Sequence, residues 1–299
     1  MNYNFQLIQT FNGWCFHSLT PDKKIAILQE DSHMPINNYI AVNLDSGNIF
    51  DKVNEEFLIS IGFNKQTFNS ADGYTSILSQ ESILSLDKKY LITGKTESPF
   101  YGFKIWIQQD DLLSYSDLLG SIEVDYADYL YGKISPDSKV FIGYAKEFLD
   151  SAGSYSLSDL NIFDLTSNQS IHSVQSFNCA CTSQDIQLVA YHQGKKLHIF
   201  RFEDKKLYTS DNFHYIISVV AISENKSFLL SGNSNKTIGL WNIVNGTPRL
   251  EQILKGHPVS ISKLAFGLDD QIIISTSKEY HFRRANSPST TILYKSENN

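Results

Sequence analysis

The chain is predicted to be an all-β protein built from a repeated antiparallel unit, and three observations predict it. First, a short polar turn carrying Asp, Asn or a similar residue recurs six times: Thr20-Pro21-Asp22-Lys23-Lys24, Ser85-Leu86-Asp87-Lys88-Lys89, Ser135-Pro136-Asp137-Ser138-Lys139, Thr182-Ser183-Gln184-Asp185, Ser223-Glu224-Asn225-Lys226 and Gly267-Leu268-Asp269-Asp270. Second, each turn is followed by a β-rich run, Ile25 to Leu28, Tyr90 to Gly94, Val140 to Gly143, Leu188 to Tyr191, Phe228 to Ser231 and Ile272 to Ser275. Third, hydrophobic residues make up 41% and aromatics 13%, a composition suited to short packed strands and not to long helices.

A further strand follows each run at a variable distance: Tyr39 to Asn43, Phe103 to Ile107, Leu160 to Asp164, Leu197 to Phe200, Thr237 to Trp241 and Thr290 to Tyr294. Successive turns lie about 40 to 65 residues apart, the period of a repeated four-stranded unit, with the longest interval holding an insertion.

The stretch Ser231-Gly232-Asn233-Ser234-Asn235-Lys236-Thr237-Ile238-Gly239-Leu240-Trp241-Asn242, followed by Gly256-His257, resembles the blade of a WD-repeat β-propeller, most closely over residues 215 to 277. The resemblance implies one domain over residues 1–299, a propeller of four-stranded antiparallel blades. Six blades are read from the turns. Seven is the alternative, because Glu55 to Thr75, with Phe57-Leu58-Ile59-Ser60-Ile61, could hold degenerate strands. It also implies closure by the N-terminal strand, Phe5 to Phe11, completing the last blade and removing an exposed sheet edge.

The same resemblance implies a blade lock of His, Ser or Thr, Asp and Trp. Its fifth-blade members would be Ser231, Asn235 and Trp241, with His214 one residue from the expected place; its sixth-blade members would be His257 and Ser275, with Tyr294 for Trp. Trp106, Phe163 and Phe200 would fill the anchor position elsewhere by size.

Binding is expected in the loops, since the strands are committed to the core. The connections from the second to the third strand are long at Gln29 to Asn38, Lys95 to Gly102, Lys146 to Asp159 and Lys278 to Ser289, and the insertion Asn54 to Tyr74 is expected to join their face. They carry Phe100, Tyr101, Phe148, Tyr155, Tyr280 and Phe282, together with Arg283 and Arg284, two of the chain's four arginines. Aromatics with arginine are the residue types of a protein-binding hot spot, and the competing expectation is that they fold down as loop mini-cores. Phe282-Arg283-Arg284-Ala285 resembles the Phe-Arg-Arg-Gly motif of phosphoinositide-binding propellers, with Ala in place of Gly.

Other readings find less support. A net charge of −7 with pI near 5.6 argues against nucleic acid and anionic membranes. Cys15, Cys179 and Cys181 are read as reduced thiols, because a tetrahedral zinc site would need more ligands at metal spacing; no metal or other cofactor is expected. Hydrolase motifs are missing, and Glu123, Asp125 and Asp128, like the neighbouring pairs Glu55-Glu56 and Asp110-Asp111, suit a solvated charge run better than a catalytic set. The start has no secretory pattern and no run spans a bilayer.

The expectation is therefore a non-catalytic, cytoplasmic interaction platform for a protein or peptide partner, a monomer or a subunit of a larger complex. The alternatives are a propeller hydrolase or lactonase acting at a central channel and a phosphate binder acting through Arg283 and Arg284.

Overall fold

A computed structural model describes residues 4–31, 38–50, 53, 57, 60, 75–77, 82–97, 100–107, 117–124, 129–148, 155–278 and 289–297. Apart from helical backbone at Phe57 and Ser60, the elements among them are β-strands, and the strands form six antiparallel sheets, five of four strands and one of five. The residues group into two compact units, one of 1–71, 179–184 and 188–299, the other of 72–178 and 185–187.

The larger unit holds four sheets. In chain order they are β2 (Trp14–Leu19), β3 (Ile25–Glu30), β4 (Tyr39–Asn43) and β5 (Ile49–Phe50); β15 (Cys179–Thr182), β16 (Leu188–Gln193), β17 (Lys196–Arg201) and β18 (Lys206–Thr209); β19 (Ile217–Ile222), β20 (Phe228–Asn233), β21 (Ile238–Asn242) and β22 (Arg249–Leu254); and β23 (Ile261–Gly267), β24 (Ile272–Ser277) and β25 (Thr290–Ser296). The last of these sheets takes its fourth strand from the front of the chain: β1 (Phe5–Asn12) pairs antiparallel with β25, from Phe5 opposite Ser296 to Asn12 opposite Thr290, with a bulge at Ile8. The N-terminal strand thus covers what would be the free edge of β25.

The smaller unit holds β7 (Ser82–Leu84), β8 (Tyr90–Glu97), β9 (Phe100–Ile107) and β10 (Asp117–Glu123) in one sheet, and β11 (Tyr129–Ile134), β12 (Val140–Phe148), β13 (Tyr155–Asp164) and β14 (Gln169–Val174) in the other. A short strand, β6 (Thr75–Ile77), adds to the free edge of β11. The end of the long insertion therefore forms a fifth strand of an existing sheet. The rest of Asn54 to Tyr74 lies largely outside the described residues.

Hydrophobic clusters fill the spaces between successive sheets. Leu188, Ala190, Leu197 and Ile199 meet Ile217, Leu229 and Trp241; Phe228, Leu230 and Leu240 meet Ile261, Ile273 and Ile292; Ile274 and Leu293 meet Phe16, Ala26 and Leu28. In the smaller unit Ile92, Phe103 and Ile105 meet Leu130, Phe141 and Phe163. The second strands are buried on both faces, which is why β20 (FLLSGN) and β24 (IIISTS) lack polar alternation, whereas the edge strand β22 (RLEQIL) is mostly exposed. Gly232 is demanded by this packing, since a Cβ there would sit 2.6 Å from Val219 Cγ1 and 2.7 Å from Ile261 Cβ.

Five of the six turns have a common physical basis. In each a Ser or Thr hydroxyl accepts the N–H of the first residue of the following strand: Thr20 from Ile25 at 3.0 Å, Ser85 from Tyr90 at 2.9 Å, Ser135 from Val140 at 2.9 Å, Ser183 from Leu188 at 3.0 Å and Ser223 from Phe228 at 2.9 Å. In four of them the same hydroxyl donates to the turn carboxylate or amide, Asp22, Asp87 and Asp137 at 2.6 Å and Asn225 at 2.9 Å. A residue with positive φ follows each acceptor, at Lys23, Lys88, Ser138, Ile186 and Lys226. The sixth turn has Gly267 where the hydroxyl would stand. It is held instead from outside, by Leu268 N–H donating to the Lys23 carbonyl at 2.9 Å and by Asp270 accepting the N–H groups of Glu224 and Asn225 at 2.8 and 3.0 Å.

Candidate functional site

The side chains expected to bond around Trp241 do so in part, and in a different order. Trp241 Nε1 donates to Ser231 Oγ at 2.9 Å, and Ser231 donates to Asn233 Oδ1 at 3.0 Å. Asn233 Nδ2 continues to Thr237 Oγ1 at 3.1 Å, which donates to Asn235 Oδ1 at 2.6 Å. Asn235 is thus the end of a relay and does not itself contact Ser231; the fully buried Asn233 stands between them. His214 is exposed, and Phe213 packs on the Trp241 ring instead, with centroids 5.1 Å apart.

The sixth repeat holds its pair: His257 Nε2 lies 2.7 Å from Ser275 Oγ, which donates to the Ile292 carbonyl at 3.3 Å. That assigns the ring proton to Nε2 and leaves the buried Nδ1 an acceptor with no partner among the described residues. Burial pushes the His257 pKa down to about 4. Tyr294, in the place of Trp, donates to the Lys255 carbonyl at 3.1 Å, and burial raises its phenol to about 12. In the smaller unit Trp106 Nε1 donates to Thr93 Oγ1 at 2.9 Å. Leu229 opposite Trp241, Leu91 opposite Trp106 and Ile273 opposite Tyr294 occupy the same rung of three sheets, which places Ser231, Thr93 and Ser275 alike two residues along. The lock is one register repeated, and Thr93 is its member that the sequence reading missed.

Two stretches expected as loops are strands. The β8–β9 hairpin stays paired through Lys95 opposite Gly102 and Thr96 opposite Tyr101 to Glu97 opposite Phe100, and the β12–β13 hairpin through Lys146 opposite Leu157 to Phe148 opposite Tyr155. β-branched and aromatic residues on both arms favour the pleat over a coil. Tyr101 is half-buried and packs on the cluster of Tyr90, Phe103 and Val124, while its carbonyl accepts the Val124 N–H at 3.0 Å. Phe100, Phe148 and Tyr155 occupy the last rungs, and their side chains lie outside the described residues. Tyr280, Phe282, Arg283 and Arg284, with Asp125 and Asp128, also lie outside them; Glu123 is exposed at the end of β10.

The base of the connection that carries Arg283 and Arg284 is described in detail. Asp31 accepts Lys278 Nζ at 2.8 Å, Ser289 Oγ at 2.5 Å and Ser289 N–H at 3.1 Å, and Cys15 Sγ donates to Ser289 Oγ at 3.0 Å. Burial works to raise the Asp31 carboxyl, but the Lys278 and Ser289 hydrogen bonds outweigh it and hold the pKa below the usual value. The two ends of that connection are thereby fixed to each other and to the end of β3. Nothing local in the sequence signals Asp31, because its partners are more than two hundred residues away.

Among the described residues, no three His, Cys, Asp or Glu side chains converge as metal ligands, and no helix is long and apolar enough to cross a membrane. No protein-family model matches the chain, and no curated protein matches it.

Proposed function

We propose that this protein is a six-bladed propeller of WD type that acts as a non-catalytic platform for a protein or peptide partner, bound at the ends of the extended hairpins. The observation that carries the reading is the continuation of β8–β9 and β12–β13 to rungs formed by Glu97 with Phe100 and Phe148 with Tyr155. Strand pairing fixes the backbone of these aromatics before a partner arrives, which lowers the ordering cost of binding. By contrast β16–β17 closes at Gln193 opposite Lys196, and β20–β21 at Gly232 opposite Ile238. The core-facing hydroxyl, amide and indole groups of the lock are spent on one another, leaving variation to the hairpin ends and connections. Three free cysteines suit a reducing, cytoplasmic setting.

Affinity capture followed by mass spectrometry, with wild type beside Phe148→Ala/Tyr155→Ala and Phe100→Ala, tests the reading. Loss of one reproducible partner in the variants, at unchanged urea midpoint, is the expected result. A partner retained by all variants, or turnover of a substrate by the purified chain, overturns it.

A further inference from the structure

Cys179 and His192 stand opposite each other on the antiparallel pair β15–β16, and Cys181 stands two residues along, opposite Ala190. Opposed residues project from the same face of a sheet. Here that face is the one covered by Ile217, Leu229 and Trp241 of the next sheet. His192 has no solvent exposure, and neither of its ring nitrogens has a hydrogen-bond partner among the described residues. A neutral imidazole owns one donor and one acceptor, and leaving a buried polar group unmet costs about 1–3 kcal/mol. Gly232 holds the same position on β20, so the fold by itself does not call for a ring there.

Cys179 is also buried; its thiol makes a long contact of 3.7 Å with the Ile217 carbonyl and a hydrogen bond with the His192 backbone N–H. Burial raises the thiol pKa, so without a partner cation the sulfur stays protonated.

We propose that Cys179 and His192 form a two-coordinate site for Cu(I), a soft monovalent cation. Thiolate sulfur and imidazole nitrogen are ligands of choice for that ion. Charge decides against a divalent one: a thiolate with Cu(I) is neutral and leaves no net charge in the interior, whereas Zn(II) on the same two groups would bury a positive charge. Ligand number agrees, since among the described residues no third His, Cys, Asp or Glu converges to complete a tetrahedral site. On binding, the Cys179 thiol releases its proton to solvent, a sulfur lone pair forms the S–Cu bond and an imidazole lone pair forms the N–Cu bond, with no change of oxidation state. Cys181 is half-buried on the same face, two residues along.

The test is anaerobic titration of the full chain with Cu(I) against a chromogenic Cu(I) chelator. Wild type and Cys15→Ser are expected to withdraw one equivalent. Loss of even an outer partner weakens metal sites 10 to 100-fold, so Cys179→Ser and His192→Leu should each lose about 100-fold or more. Full uptake by Cys179→Ser, or none by wild type, overturns the site. X-ray absorption of loaded wild type keeps the question open to refutation if either variant misfolds. One sulfur and one nitrogen in the first shell support the assignment; two sulfurs refute it.

Discussion

Trp241 Nε1 and Ser231 Oγ, 2.9 Å apart and ten residues apart in the chain, join adjacent strands diagonally, and Trp106 with Thr93 repeats that bond in another sheet. An indole N–H in a dry sheet interface needs an acceptor, and the small hydroxyl two residues along the neighbouring strand is the one within reach.

Replacing Trp241 by Phe removes that donor and part of the ring that packs on Phe213. The expected loss is about 1–3 kcal/mol in urea unfolding. Ser231→Ala should cost a similar amount, and the double variant less than the sum, because both break one bond. Additive losses would show that the pair is not coupled.

The turn hydroxyls predict a second series. Ser85→Ala leaves the buried Tyr90 N–H without its side-chain acceptor and frees the Asp87 carboxylate. A loss of about 1–2 kcal/mol is expected, as for a helix cap of the same chemistry. Supplying the missing hydroxyl to the sixth turn by Gly267→Ser should not stabilise it, since a Cβ there would lie 2.6 Å from Leu44 Cδ1.

Stability should fall in mild acid. Burial, and for His192 also the charge of His198, lowers His192 and His257 from 6.5 to about 4. A group whose pKa is lower folded than unfolded binds protons preferentially in the unfolded chain. The stability is therefore fully present above pH about 6.5 and is lost as pH drops toward about 4, by on the order of 3 kcal/mol for each residue. Urea midpoints measured across that interval check it. His192→Leu should flatten part of the slope and leave neutral-pH stability equal or higher, since it removes a buried polar ring that has no hydrogen-bond partner among the described residues.

Removing residues 1–12 strips β25 of its outer partner and takes Phe5 and Phe11 from two clusters. The truncated chain is expected to lose cooperative unfolding and to be cut rapidly by protease. A truncated chain that melts like the full one would contradict the role of β1.

Much of the strand framework was legible because its signals are local. Thr20, Ser85, Ser135, Ser183 and Ser223 each bond a backbone group five residues on, so the turn and the start of the following strand are written in one short stretch. The lock was legible in kind but not in membership. Which amide of Asn233 and Asn235 touches Ser231 depends on the path of the β20–β21 turn, and two asparagines two residues apart look alike until that path is known. Hairpin length was misread for a related reason: Phe100, Tyr101, Phe148 and Tyr155 serve a loop or a strand equally well, and only pairing partners decide.

The sequence by itself determined the all-β class, the turns, the second and third strands of each unit and the pairing of the first strand with the last. Only the tertiary structure decided that Asp31 fixes Lys278 and Ser289, that Asp270 holds a turn far along the chain, that Thr75–Ile77 extends β11 and that His192 is enclosed opposite Cys179. A hydrogen bond within a turn is selected by a few neighbouring residues, whereas a contact between distant segments depends on packing that no short stretch encodes.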